Sequence, residues 1–119
     1  MPEPVPTHID YHQKSRILEI TFDDQSNFKF SSEFLRVYSP SAEVRGHGPG
    51  EEKLQLNKEN VTIDDIEPVG NYAIKLVFSD KHDSGLYSWD LLYDYGKRQD
   101  KMWQAYLDKL EKAGHTRKV

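Results

Sequence analysis

Ser79-Asp80-Lys81-His82-Asp83-Ser84-Gly85-Leu86-Tyr87-Ser88-Trp89-Asp90-Leu91-Leu92-Tyr93-Asp94-Tyr95-Gly96 is the stretch on which the fold turns. Upstream, Tyr72 to Phe78 reads as a strand with Tyr72, Ile74, Leu76 and Phe78 on one face, the period of a half-buried strand. Its partner is Val61 to Val69, an edge strand because Pro68 cannot donate to a central ladder. Gly70-Asn71 supplies a two-residue turn between them. Within the stretch, Asp83 and Ser84 are expected to bond nearby backbone groups in a turn, and Gly85 to take the awkward dihedral. Ser88 then caps a helix that ends near Gly96 as a left-handed C-terminal glycine. A second helix is expected from Arg98 to Ala113, with Trp103, Tyr106, Leu107 and Leu110 on one stripe beside Met102, and Gly114 ends it.

Working outward to the N-terminus, Pro2, Pro4 and Pro6 make residues 1–7 an extended arm. A meander follows: a strand from His8 through Ile9 and Tyr11, a turn at Lys14-Ser15, a strand with Leu18, Ile20 and Phe22 alternating, a turn at Asp23 to Ser26, and a strand from Asn27 to Phe30. Ser31 or Ser32 caps a short helix through Phe34 and Leu35 that Pro40 stops. Residues 39–58 carry no periodic pattern and read as a long irregular connection. The fold class is α+β: a small antiparallel β-sheet with short helices and a C-terminal amphipathic helix packed on it. One domain over residues 8–114 is expected, with 115–119 a short frayed tail carrying Arg117 and Lys118.

Charged residues make up 30% of the 119, and the net charge is −4, so no global field draws the chain to nucleic acid or anionic membranes. No local run of basic residues interleaved with aromatics alters that. The absence of cysteine excludes disulfides, thiolate catalysis and cysteine-ligated metal or cluster sites. No apolar signal core or membrane-length run is present, and the expected location is cytoplasmic.

The chemistry-bearing motifs are sparse. His82-Asp83-Ser84 has the composition of a catalytic triad, but consecutive residues cannot align nucleophile, base and orienter. Gly46-His47-Gly48-Pro49-Gly50 lacks the Gly-Lys-Ser/Thr ending of a phosphate loop, and His8-Ile9-Asp10 lacks the surroundings of an iron site. His47 and His82, each beside glycines, are the candidate metal ligands, with Glu43 as a nearby carboxylate. Trp89, Tyr93, Trp103 and Tyr106 read as core aromatics, with an aromatic partner patch as the alternative.

Three segments in this order and spacing resemble the gamma-butyrobetaine hydroxylase-like N-terminal domain family: Phe34 to Gly48, Ile66 to Ile74, and His82 to Trp89. In the hydroxylases that name it, the resemblance implies a domain preceding an iron- and 2-oxoglutarate-dependent barrel and holding a structural zinc through three cysteines and a histidine. Here the matching positions are Ser39, Ser41, Val44 and His82, so the resemblance implies a dismantled zinc site. A barrel of about 200 residues has no room within the chain, so hydroxylase activity is not expected. Similar domains attached to iron–sulfur cluster carrier ATPases suggest a setting in iron or iron–sulfur metabolism. The expectation is a non-catalytic accessory module that binds a protein partner, requires no cofactor, and uses Ser39, Ser41, Glu43, Asp83, Ser84, Gly85 and Trp89 as its motif positions. The alternative is a metal-binding protein that holds iron or zinc through His82 and His47.

Overall fold

The computed structural model describes residues 4–45 and 53–117. Two three-stranded antiparallel sheets form in succession along the chain. β1 (Pro6–His12), β2 (Ile17–Phe22) and β3 (Asn27–Ser31) make the first, in the order β1-β2-β3. Two short helices follow, α1 (Ser32–Val37) and α2 (Ala42–Arg45). The second sheet is β4 (Ile63–Val69), β5 (Ala73–Phe78) and β6 (Leu86–Ser88), in the order β4-β5-β6, and α3 (Trp89–Lys112) closes the fold. The α+β class expected from the sequence is present, with its strands divided between two sheets.

The alternation in β2 does what its period demands. Leu18, Ile20 and Phe22 are buried, and Leu18 and Ile20 stand opposite Phe30 and Phe28 in the register. The β2–β3 turn is closed by Asp24 Oδ1 accepting from the Ser26 N–H at 2.9 Å, with Gln25 at φ 72°. Ile74, Leu76 and Phe78 of β5 meet this apolar face together with Phe34, Leu35, Tyr87, Leu92 and Tyr95, and these side chains make one core. Ser31 caps α1 by accepting from the Phe34 N–H at 3.0 Å.

The structure corrects the sequence reading at several places. β1 begins at Pro6, so residues 6 and 7, expected in the extended arm, belong to a strand; a proline at the first residue of an edge strand removes no ladder bond the sheet needs. Tyr72 lies in a three-residue turn with Gly70 and Asn71, is 55% exposed, and rests its ring beside Gly70 instead of joining the β5 face. Part of the irregular region is helical, as α2. Leu86-Tyr87-Ser88 adds a third strand to the hairpin. The two expected helices are one, because Gly96 lies inside α3 and serves a close approach: a Cβ there would stand 2.4 Å from Phe28 Cγ. α3 ends at Lys112 with Ala113 as its cap, and Gly114 follows at φ 71°, the left-handed turn that its sequence implies. Arg117 is not frayed. It forms a two-point bond with the buried Glu33 carboxylate, Nε to Oε2 at 2.9 Å, and its guanidinium lies 5.1 Å from the Trp103 ring centroid.

Candidate functional site

The loop after β5 is shaped by its backbone. Lys81, at φ 71°, donates its N–H to Phe78 O at 2.9 Å, and the Phe78 N–H donates to His82 O at 3.0 Å. The His82 N–H is held by Asp80 Oδ1 at 3.2 Å, and the imidazole lies beside the Phe78 ring, tilted 41° with centroids 6.2 Å apart. The awkward dihedral expected at Gly85 therefore falls on Lys81. The residue that bonds the local backbone is Asp80, whereas Ser84 reaches across to Ser41, Oγ to Oγ at 2.7 Å. Gly85 is needed for space, since a Cβ would stand 2.5 Å from Ser39 Oγ and 3.2 Å from Pro40 Cδ.

Facing this loop is the segment that leaves α1. Ser39 is wholly buried, and its Oγ pairs with His82 Nε2 at 2.8 Å. It also accepts from the Ser41 N–H at 3.3 Å, while Ser41 Oγ caps α2 by accepting from the Glu43 N–H at 3.2 Å. Glu43 reaches back to His82 Nδ1, 3.2 Å from Oε2. With Glu43 able only to accept, Nδ1 carries the proton of a neutral imidazole and Nε2 accepts from the Ser39 hydroxyl. Burial holds the His82 pKa below its ordinary value, and the Arg36 charge pushes the same way against Glu43 and Asp80.

A charged layer lies beside this network. Asp80 accepts from Arg36 Nε at 2.8 Å and from Lys58 Nζ at 2.6 Å. Partial burial alone would raise its pKa, but the bonds from Lys58, Arg36 and the His82 N–H bring it down to about 2. Tyr87 is fully buried beneath, donating to Leu35 O at 2.6 Å, and burial pushes its phenol well above the usual tyrosine range.

Thus the structure brings together Ser39, Ser41, Glu43, His82, Ser84 and Gly85. Asp83 sits exposed in the same loop, and Trp89 lies apart, donating Nε1–H to Asn71 O at 2.8 Å to tie the start of α3 to the β4–β5 turn. His47 lies outside the described residues. Sequence reasoning missed Arg36, Lys58 and Asp80, whose ion pairs join residues 44 and 22 apart in the chain.

Ser39, His82 and Glu43 are ordered as hydroxyl, imidazole and carboxylate, the sequence of groups in a hydrolase triad. The position of the hydroxyl argues against that chemistry. Ser39 is 0% exposed, and a Cβ built on Gly85 would stand 2.5 Å from its Oγ, so this arrangement leaves a substrate carbonyl no open approach to the hydroxyl. The residues that the family resemblance matches to zinc ligands do not suit that metal either: Ser39, Ser41 and Val44 offer two neutral hydroxyls and a valine, and both nitrogens of His82 are engaged. Among the described residues no group of three His, Cys, Asp or Glu could hold a metal ion. Nor, among them, is any helix long and apolar enough to cross a membrane.

An NMR solution structure 51% identical to the chain aligns over 98% of it and 89% of its own length, with a TM-score of 0.82. A second NMR structure, 44% identical, covers 98% and 91%, with a TM-score of 0.84. A crystal structure of a protein of unknown function in the DUF971 family, from Acidithiobacillus ferrooxidans ATCC 23270, is 32% identical over 73% of this chain and 86% of that one, with a TM-score of 0.62. No curated protein matches. The profile of the family described as gamma-butyrobetaine hydroxylase-like, N-terminal, matches residues 9–93, and the chain belongs to that family.

Proposed function

We propose that the chain is a non-catalytic accessory module that acts by binding a protein partner and needs no cofactor to do so. The observation that carries this reading is the network around His82. At positions that the family resemblance matches to zinc ligands, the buried Ser39 hydroxyl and His82 imidazole bond each other, and the surface carboxylate of Glu43 holds the second ring nitrogen. Such a centre locks two loops together, which supports a structural duty for the cluster over a chemical one. Iron or iron–sulfur metabolism is the setting that the family resemblance suggests for the partner.

The test is affinity capture from native lysate, followed by elemental analysis of the untagged protein. A stoichiometric protein partner, with no iron or zinc bound at stoichiometry, is the expected result. Stoichiometric metal that disappears in His82→Ala would replace this reading with the metal-binding one. Failure to recover any partner would sink the interaction role.

A further inference from the structure

Away from His82, α2 and residues 53–55 leave a cavity of about 260 Å³ against the C-terminal half of α3. Val37, Val44 and Tyr106 line it as buried side chains, and Leu54, 36% exposed, lines it nearer the surface. Three cations edge it: Arg45, Lys53 and Lys109. Among the described residues none of the three has a carboxylate partner; the one side-chain bond among them is from Arg45 to Tyr95 Oη at 3.5 Å. Lys101 lines an adjoining hollow that shares Tyr38 and Arg45. These cations are scattered in the sequence, which is why they form no basic run there. On a chain of net charge −4, the fold gathers them around one apolar opening.

We propose that this cavity receives one large apolar side chain from an acidic segment of a protein partner; the proposal rests on reading the chain as a partner-binding module. Size favours a side chain, because the volume lies below the roughly 300–1,000 Å³ of pockets that enclose a small-molecule ligand. The chemistry fits the same occupant. An anchoring Leu, Phe or Trp loses water against Tyr106, Val44 and Leu54, and flanking carboxylates meet Arg45, Lys53 and Lys109. Burial of the anchor supplies most of the affinity, while the exposed cations speed encounter and reject basic partners. Since those cations are wet, the attraction weakens with salt.

The test uses isotope-labelled full-length protein and a short synthetic peptide of Glu and Asp with one central Phe, followed by amide NMR and fluorescence anisotropy. The expected result is a set of shifts at Val44, Leu54 and Tyr106. Binding should weaken about tenfold when Gln and Asn replace the acids, when Ala replaces Phe, or when the protein carries Lys53→Glu with Lys109→Glu. Thermal melting of that double variant, unchanged from wild type, excludes misfolding. Equal binding of acidic and neutral peptides, or indifference to the charge reversals, overturns the proposal. So do shifts at the same amides from phenyl phosphate but none from the peptide, which mark a small-anion pocket. Recovery of the same lysate partner by wild type and double variant likewise overturns the cavity as the docking point while the module reading stands. No partner with either removes both.

Discussion

Gly96→Ala separates two opposite expectations for one methyl group. On an exposed helix the change stabilises by about 1 kcal/mol, because alanine is the better helix former. In this structure the added Cβ would lie 2.4, 2.5 and 2.6 Å from Cγ, Cδ2 and Cδ1 of Phe28. The ring cannot swing aside cheaply, since it packs edge-on against Phe22 at 5.8 Å and Tyr93 at 5.6 Å between centroids. Overpacking of this kind costs about 1–3 kcal/mol, and with so many ring atoms under contact distance the upper half of that range applies. The steric cost therefore exceeds the propensity gain, for a net loss of about 1–2 kcal/mol. Thermal and urea unfolding followed by circular dichroism should register a Tm lowered by roughly 4–10 °C. The decisive arm is a double-mutant cycle with Phe28→Ala. Without the ring, Gly96→Ala should become neutral or stabilising. If it stays equally costly there, Gly96 occupies the left-handed helix end that its sequence context suggests, and the continuous α3 is wrong.

Three further outcomes follow from the charged and buried groups. Asp80→Ala leaves the Arg36 guanidinium, only 8% exposed, without its carboxylate, and chemical denaturation should show a loss of about 2–4 kcal/mol; a loss below 0.5 kcal/mol would mean Arg36 finds another partner. Arg117→Ala strands the buried Glu33 carboxylate and removes the cation over Trp103, at a cost of about 1–3 kcal/mol in the same assay, whereas a tail without structure would cost nothing. The third is a pH dependence. His82 has its folded pKa below the ordinary 6.5, so the unfolded chain binds its proton more readily. Its contribution to stability is complete above about 6.5 and is lost as pH falls through the folded value. His82→Gln should flatten the unfolding midpoint over that window, and an unchanged slope would place the titration elsewhere.

The strands whose periodicity is complete in the sequence were legible from it: the alternation of Leu18, Ile20 and Phe22, and the hairpin on either side of Gly70, depend on local pattern. β6 was not, because Leu86-Tyr87-Ser88 is too short to show a period and reads as the approach to a helix. Gly96 was misread for a different reason. A glycine that ends a helix and one that admits a ring look alike in sequence, and only the arrival of Phe28 from β3 tells them apart. The site divides the same way. His82 stood out beside its glycines, and the family resemblance pointed to Ser39 and Ser41. That Ser39 faces Nε2 and Glu43 faces Nδ1 depends on pairing segments 43 residues apart. The cationic cavity was invisible, since Arg45, Lys53 and Lys109 meet only when α2 folds against α3.

The central claim is that His82 is a neutral, hydrogen-bonded tie between two loops, at the position that the family resemblance matches to a zinc-ligating histidine. Long-range proton–nitrogen NMR of the imidazole, titrated with pH and then with zinc and iron(II), tests it most directly. The account predicts a proton on Nδ1 at neutral pH, a pKa below 6.5 and nitrogen shifts indifferent to one equivalent of either metal. An imidazole that titrates at or above 6.5, carries its proton on Nε2, or shifts stoichiometrically with metal would contradict it.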